Sequence, residues 1–323
     1  MIIWSFVQAY IIMWTKNYTT QYKLYKEIHM SSFANLKRNR DNFDKLSKAI
    51  EATGTPAEAG SKDDTRFWQP EVDKAGNGMA VIRFLPSPAV DGDDALPWVR
   101  VFTHGFQGPG GWFIDNCLTT LNDKCPVFEH NNTLWNSGIE ANKDIARKQK
   151  RKLTYMTNIL IVSDPSNPSN EGQVRLFKFG KKIFDKINEA MNPEFADETP
   201  INPFDLWEGA NFKLKIRNVE GYRNYDKSEF ASKSALSEDD AELETIWKKE
   251  YSLKEFTEPK LFKPYAQLKT RLDKVLGFEG IAPSTTAESI DLSPPAAKFA
   301  PRSTPVDIGG DDDLEYFKSL AEE

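Results

Sequence analysis

The stretch NFKLKIRNV, residues 211–219, alternates between apolar and cationic side chains. The apolar set is Phe212, Leu214 and Ile216, and the cationic set is Lys213, Lys215 and Arg217. Successive side chains of a β-strand point to opposite faces of its sheet, so this pattern predicts a half-buried strand. The solvent face of that strand would carry three positive charges, which suits an anionic partner.

Other runs of β-branched and aromatic residues, bounded by Gly, Pro, Asn and Asp, predict strands before this one. They are MAVIRFLP (79–86), WVRVFTH (98–104), GWFID (111–115), LTYMTNILIVS (153–163) and QVRLFKF (173–179). Helical periodicity marks GKKIFDKINEAM (180–191), SEDDAELETIWKKE (237–250) with Ser237 as N-cap, and KPYAQLKTRLDKVLG (263–277), which ends at Gly277. Strands first and helices late predict a β-rich α+β core.

The two ends of the chain differ from this core in composition. The opening run MIIWSFVQAYIIMW is shorter than the roughly 20 apolar residues of a spanning helix, and no basic residue precedes it as in a secretory signal. Residues 1–29 are therefore interpreted as an upstream extension or a misplaced start, with an amphipathic membrane anchor as the alternative. Residues 278–306, rich in Pro, Ser, Thr and Ala, predict a flexible linker.

The acidity of the chain belongs to its last segment. Residues 307–323 hold seven acidic residues against Lys318 alone, which equals the whole net charge of −6. The rest of the chain therefore sums to zero, and its surface can carry basic patches.

Residues 30–60 predict a short basic amphipathic arm. Apolar residues from Phe33 to Ile50 recur at loose helical spacing among Lys and Arg, and TGTPAEAGS (53–61) closes the segment as a linker. Two interpretations remain open. The segment is either a helix that packs on its own domain or an arm that docks on another molecule.

Three clusters combine basic and aromatic residues. The first is KDIARKQKRKLTYM (143–156), the second surrounds Phe177 with Lys181 and Lys182, and the third joins Lys213, Lys215 and Arg217 to Tyr222, Arg223 and Tyr225. Cations neutralise a phosphate backbone, and exposed rings stack on unpaired bases for about 1–3 kcal/mol each. One such cluster alone is more often a solvated face over core aromatics. Three clusters on strands or their flanks favour a single-stranded nucleic acid as partner.

Signatures of catalysis are missing from the sequence. There is no P-loop, no Rossmann glycine pattern and no G-x-S-x-G motif, so the chain is predicted not to be an enzyme. His104, Cys117 and Cys125 have the types and spacing of metal ligands, yet Phe128 stands where a C-x-x-C pair would place another thiolate. Two cysteines are too few for a disulfide scaffold and favour reduced thiols.

From about Met30 to its end, the chain resembles the single-stranded DNA-binding (helix-destabilising) proteins of T-even-type bacteriophages. The similar blocks are DKAGNGMAVIRFLPS (73–87), HGF (104–106), CPV (125–127), KRKLTYMTNILIV (150–162), NEGQV (170–174), FGKKIFDKIN (179–188) and LWEGANFKLKIRNVEGYRNYD (206–226). The resemblance implies an α+β fold with an OB-fold-containing core at 61–277 and an embedded zinc subdomain at about 104–130. It also implies a helical N-terminal arm at 30–60 for self-association along DNA. A disordered acidic tail at 307–323 would recruit phage replication and recombination proteins and compete with DNA.

Site residues carried over by the resemblance fall into two groups. The DNA contacts are Lys150, Arg151, Lys152, Tyr155, Phe177, Tyr222 and Tyr225, with Phe177 replacing a tyrosine of the family and Ala146 replacing another. The ligands of a structural Zn²⁺ are His104, Cys117 and Cys125, with His130 as the candidate fourth ligand because Phe128 cannot bind a metal.

The sequence therefore predicts a cooperative, sequence-independent single-stranded DNA-binding protein of phage DNA replication, recombination and repair. It would work in the cytoplasm of the infected bacterial host and bind no membrane. The alternative is a non-DNA adaptor that binds protein partners through its basic face and acidic tail. That reading explains the charges but leaves the interleaved aromatic residues unexplained.

Overall fold

A computed structural model describes residues 33–38, 64–195 and 197–278. The predictions for residues 1–29, the linker and the acidic tail lie outside the described residues, as does most of the arm. Within the described ranges the chain is a mixed α+β structure built around one large sheet, as the order of strand and helix patterns predicts. None of the helices in these ranges has the length and apolar character needed to cross a membrane.

The sheet is organised around one long central strand. The strands are β1 Phe67–Trp68, β2 Gly78–Phe84, β3 Trp98–Gly108, β4 Gly111–Asn116, β5 Lys152–Ser163, β6 Val174–Phe179, β7 Ala210–Val219, β8 Tyr222–Asn224 and β9 Glu229–Lys233. The first half of β5 pairs antiparallel with β3, its second half with β2, and its middle with β6 on the other side. The sheet continues from β2 to β7, and from β7 to β8 and β9.

The alternation in β7 is confirmed by the burial of its side chains. Phe212 and Leu214 are fully buried and Ile216 is nearly so, whereas Lys213 and Arg217 are exposed. The inner face of the sheet carries further aromatic rings, which pack around Phe84 at centroid distances of 5.6–6.0 Å. Large buried rings of this kind dominate the hydrophobic stabilisation of a core.

Six helices flank the sheet in the described ranges. They are α1 Phe33–Arg38, α2 Pro126–Asn136, α3 Glu140–Gln149, α4 Lys181–Met191, α5 Asp240–Lys248 and α6 Tyr265–Leu276. Helix α6 ends at Gly277 in the left-handed region (φ +81°), as the glycine signal predicts. The predicted N-cap of α5 is corrected by two residues, because Asp239 accepts the hydrogen bond from the Ala241 amide while Ser237 accepts one from the Asp239 amide.

Helices α2 and α3 lie between β4 and β5, so helices do not all follow the strands. Together with the 3-10 turn Leu118–Leu121 they form a small helical subdomain inserted into the sheet. Neither helix was predicted. Helix α3 is the charged run EANKDIARKQ, in which Ala146 is the only buried apolar residue, so no apolar stripe marks it in the sequence.

Helix α1 packs on its own domain. The Phe33 ring lies 5.6 Å from the ring of Trp207 and 5.6 Å from that of Trp247. Lys37 forms an ion pair with Asp240, and its ammonium group lies 5.5 Å from the centre of the Trp207 ring. In this structure Phe33–Arg38, the part of the arm that is described, contacts its own domain. The surface formed by Trp207, Asp240 and Trp247 is called the arm groove below.

Candidate nucleic-acid interface and metal site

The outer face of β7 carries the third basic cluster, but acidic residues neutralise part of its charge. The Lys215 ammonium lies 2.8 Å from the carboxylate of Glu229, and Arg217 binds both oxygens of Asp226 at 2.8 and 2.6 Å. The hydrogen bond from Arg217 lowers the pKa of Asp226. The expectation of a wholly cationic surface is therefore corrected, because the segment after β8 brings two carboxylates to this face.

The second and third clusters meet around Glu229. The hydrogen bond from Lys215 is the main cause of the lowered pKa of Glu229, and the charges of Lys213 and Lys186 lower it further. Lys186 lies on α4 and Lys213 on β7. Helix α4 begins with Lys181 and Lys182, of which Lys181 pairs with Asp185 at 3.4 Å. The fold thus brings two separate basic segments of the sequence to one surface.

The tight turn between β7 and β8 presents an aromatic ring at the far end of the outer face of β7. Glu220 and Gly221 both have positive φ (54° and 89°), the conformation of a two-residue hairpin turn. Tyr222 follows the turn with 39% of its surface exposed, and Arg223 is exposed as well. Tyr225, by contrast, is half-buried and packs against the core.

The first basic cluster is divided between a helix and a strand. On α3, Arg147 pairs with Glu140 at 2.9 Å, and its guanidinium lies 5.4 Å from the centre of the Trp135 ring. Lys150 follows the last turn of α3, and Lys152 begins β5. All three residues of the Lys150–Lys152 run are half-buried.

Arg151 lies close to two aromatic rings. Its guanidinium lies 4.3 Å from the centre of the Phe102 ring and 4.9 Å from that of Phe128. Its Nη1 donates a hydrogen bond to the Thr119 hydroxyl at 2.9 Å. We call this arrangement the Arg151 clamp. Its guanidinium is committed to contacts within the protein.

Tyr155 and Phe177 are both buried, with 2% and 3% of their surfaces exposed. The Tyr155 ring stacks on Phe184 at 4.0 Å, nearly parallel to it, and Phe177 stacks on Phe179 at 5.6 Å. Their positions in β5 and β6 place both side chains on the covered face of the sheet. In this structure neither ring offers a face to a base.

An exposed ring that the sequence reasoning missed is Trp112. It is 58% exposed on β4, with Ile114 52% exposed on the same side and Phe113 buried on the other. The pairing of β3 with β4 and with β5 places Trp112 on the same face of the sheet as Lys152. The alternation in GWFID contained this signal, because one side of that strand had to face solvent.

The predicted metal ligands His104, Cys117 and Cys125 lie together, with one donor atom of each within 4.8 Å of the others. The Nε2 of His104 is 3.8 Å from Cys125 Sγ, and its Nδ1 is 3.1 Å from the carbonyl oxygen of Gln149. When the Nδ1–H group donates a hydrogen bond to that carbonyl, Nε2 is unprotonated and its lone pair can bind a metal, which is the usual arrangement of a metal-bound histidine. The three groups fit the donor set of zinc.

The two thiols of this group differ in acidity. Burial raises the pKa of Cys117, whereas the hydrogen bond from Cys117 lowers the pKa of Cys125. Cys125 is also the N-cap residue of α2, where the helix dipole favours a negative charge. These effects favour the thiolate at Cys125, and the thiolate is the form of cysteine that binds a metal.

His130 is not brought into this group. Helix α2 begins directly after Cys125, and five residues of helix turn the side chain by about 140° from that position. The His130 ring lies edge-on to Phe278 at 6.2 Å, in a pocket formed with α6, and burial lowers its pKa. The expectation that His130 replaces the fourth ligand is not met in this structure.

Comparisons with known proteins bear on this surface. The family model for gp32 DNA binding protein like proteins matches residues 76–276, more than half of the chain. The chain belongs to this family. Proteins named single-stranded DNA-binding protein from Enterobacteria phage T2 and Enterobacteria phage T4 are each 40% identical to it over 241 residues, covering 72% of this chain and 77% of the relative. The gp32-like segment contains β2 to β9 and α2 to α6, and so all of the predicted site residues.

Proposed function

We propose that this gp32-like chain is a cooperative, sequence-independent single-stranded DNA-binding protein that acts in phage DNA replication, recombination and repair in the host cytoplasm. The observation that carries the proposal is the row of Lys213, Lys215 and Arg217 on the outer face of β7, with the exposed Tyr222 at the end of the same face. Cations there would neutralise phosphates, and the ring would stack on a base without regard to its identity. The T2 and T4 relatives support the same function through their names.

The proposal takes the core as an OB-fold. Strands β2, β3, β5, β6 and β7 are linked by antiparallel pairings through β5 and β2, and OB-folds bind single strands across such a surface. The predicted DNA residues then divide into two roles. Phosphate contacts are assigned to Lys150, Lys152, Lys181, Lys182, Lys213, Lys215, Arg217 and Arg223, and stacking to Tyr222 and Trp112.

Tyr155, Phe177 and Tyr225 are assigned to supporting roles. Tyr155 and Phe177 line the covered face on which the strands pack, and Tyr225 packs against the same core. Their rings would set the position of the sheet beneath the DNA. A base would reach them only after the covering aromatic residues moved.

Cooperative binding is assigned to the N-terminal arm. Hydrogen bonds within the domain fix the two indole rings of the arm groove. The Trp207 indole donates to Asp240 at 2.8 Å, and the Trp247 indole donates to the Ser87 carbonyl at 2.9 Å. Residues 39–63 separate α1 from the core, and 25 residues can span at most about 85 Å when fully extended. The same contacts could therefore form between α1 and the groove of the next molecule on DNA. The acidic tail at 307–323 would bind replication and recombination proteins.

His104, Cys117 and Cys125 would hold a structural zinc ion. When bound, zinc would cross-link β3, the turn before Leu118 and the start of α2. The side chains of this chain supply the rest of the site: the Gln149 carbonyl orients His104, and the thiols and Val127 lie in the main hydrophobic core.

A paired titration tests the proposed function against the adaptor alternative. Oligo(dT) and a DNA duplex of equal length are added to the full chain, and binding is followed by tryptophan fluorescence. The proposal predicts tight binding of the single strand and much weaker binding of the duplex. Equal binding of both, or binding of neither, would leave the adaptor reading in its place.

A further inference from the structure

The fourth corner of the proposed zinc site, as the resemblance implies it, falls on a side chain that has no donor atom. Phe128 lies in the first turn of α2, three residues after Cys125, where the resemblance implies a fourth cysteine. Among the described residues, the group of possible metal donors contains only His104, Cys117 and Cys125. A closed structural zinc site has four protein ligands, so this chain needs another way to hold that corner.

The Arg151 clamp reaches the same corner. Its guanidinium lies 4.9 Å from the centre of the Phe128 ring and 4.3 Å from that of Phe102. The hydroxyl of Thr119 accepts its hydrogen bond at 2.9 Å and lies 3.1 Å from Cys117 Sγ. The clamp therefore touches both the ring that replaces the fourth ligand and a neighbour of the second ligand.

The clamp joins the same three segments as the metal would. Zinc would tie β3 through His104, the turn before Leu118 through Cys117, and α2 through Cys125. The clamp contacts β3 through Phe102, the 3-10 turn that follows Cys117 through Thr119, and α2 through Phe128, and it links all three to the residue before β5. A guanidinium close to two aromatic rings is an attractive arrangement when it is shielded from water.

Hydrophobic anchors support the same segments. Val127 is fully buried, Leu118 is 7% exposed, and both belong to the main hydrophobic cluster of the domain. The two cysteine side chains belong to that cluster as well. The helical subdomain is thus attached to the core by packing that does not involve a metal.

We propose that the Arg151 clamp takes the structural role of the fourth zinc ligand in this chain, so that the helical subdomain keeps its fold without metal. This inference rests on the zinc site proposed above. It also reassigns Arg151, which the resemblance places among the DNA contacts, to a role within the protein.

Thermal unfolding in the presence of zinc or of a chelator tests the clamp. The wild-type full chain should unfold in one cooperative transition in both conditions, with the higher melting temperature in zinc because a ligand of the native state stabilises it. Lys148→Gln is the control, because it also removes one cation, from the exposed end of α3. In chelator, the melting temperature of Arg151→Gln should be about 5 °C or more below that of Lys148→Gln. Phe128→Leu, which keeps the apolar volume and removes the aromatic face, should fall between them.

Two results would overturn the proposal. One is a wild-type chain that loses its single cooperative transition in chelator, because the fold of the helical subdomain would then depend on metal. The other is an Arg151→Gln variant that melts like Lys148→Gln in both conditions.

A gain of ligand provides the converse test. Phe128→Cys should retain about one zinc per chain after dialysis against a chelator concentration that strips the wild type, as read by native mass spectrometry. If this variant holds zinc no better than the wild type, Phe128 does not occupy the fourth corner and the proposal is wrong. If the wild type binds no metal when zinc is supplied, the zinc site proposed above is wrong. The unfolding measurements in chelator then still test the clamp, because they do not require zinc.

Discussion

Single acidic residues lower the positive charge of the proposed DNA surface, so the number of its cations overstates that charge. Two of the three cations of β7 are held by Glu229 and Asp226, which the sequence alternation of β7 alone does not reveal. The ion pairs are exposed, so each contributes little to stability. Their effect would be felt in DNA affinity, since a phosphate must compete with a carboxylate for the same cation.

Replacing Glu229 by Gln should strengthen binding to single-stranded DNA. The change removes one negative charge from a surface where Lys213, Lys215 and Lys186 converge. We expect about a threefold higher affinity at low salt and a smaller gain at high salt, because salt screens exposed charges. Glu244→Gln is the matched control, since Glu244 pairs with Lys248 on α5. If both changes have equal effects on affinity in a fluorescence titration, the surface around Glu229 does not contact DNA.

Trp112 should contribute a stacking contact. Trp112→Ala is expected to lower single-strand affinity about tenfold, within the range of about 1–3 kcal/mol for stacking of a base on a ring. The quenching of tryptophan fluorescence on binding should also decrease. Phe195→Ala is the control, since Phe195 is 66% exposed in the segment after α4. A Trp112 variant that binds as tightly as this control would place the DNA elsewhere.

Glu250 gives the fold a pH dependence. It is buried, neither carboxylate oxygen has a hydrogen-bond partner among the described residues, and burial raises its pKa well above the usual 4.5, with Asp91 adding to the shift. The pKa of Glu250 is higher in the folded chain than in the unfolded chain, so the folded state has its full stability below about pH 4.5, where the carboxyl is protonated in both. Stability is lost as the pH rises through the folded pKa, because the buried carboxyl must then ionise.

Glu250→Gln should therefore stabilise the protein in neutral and alkaline solution and have little effect near pH 4.5. Urea unfolding at pH 5 and pH 8 measures this difference, with the exposed Glu238→Gln as control. A Glu250→Gln variant whose stability changes with pH as the wild type does would show that Glu250 does not cause the dependence.

At the scale of elements, helix α1 and the arm groove provide the test of cooperativity. Lys37→Glu and Asp240→Lys each replace an attraction between the two elements by a repulsion. Each variant alone should bind long poly(dT) less tightly while keeping its affinity for an oligonucleotide that holds one molecule. Glu244→Lys, one turn further along α5, is the control for a charge reversal on that helix.

Mixing the two variants distinguishes contacts within a molecule from contacts between molecules. In an alternating row on DNA, the arm of K37E protein meets the groove of D240K protein, and the reverse pairing also restores opposite charges. An equimolar mixture should then recover tight binding to poly(dT). No recovery would mean that α1 serves only its own domain.

The elements that the sequence predicts are those whose signal is local. The alternation of β7, the apolar stripe of α4 and the end of α6 at Gly277 all depend on neighbouring residues. Helices α2 and α3 depend on packing against distant segments, as when the Tyr265 hydroxyl of α6 donates to Glu129 of α2. The burial of Tyr155 and Phe177 also depends on which face of the sheet is covered, and alternation alone does not decide that.

At the scale of the whole molecule, separate basic segments become one surface only through the fold. The metal group is the part of the site that sequence spacing located best, since three of its four expected ligands lie together. The proposed DNA surface follows the basic clusters, and of its two exposed rings the sequence named Tyr222 but not Trp112, because exposure is a tertiary property.

The most direct measurement is a series of oligo(dT) titrations of the full chain at increasing salt and increasing oligonucleotide length. The account predicts tight binding at low salt, a steep linear fall of log affinity with log salt concentration as counterions are released, and tighter binding per site on longer strands. Affinity that is absent at low salt, or that does not change with salt, would contradict a DNA-binding role for this surface.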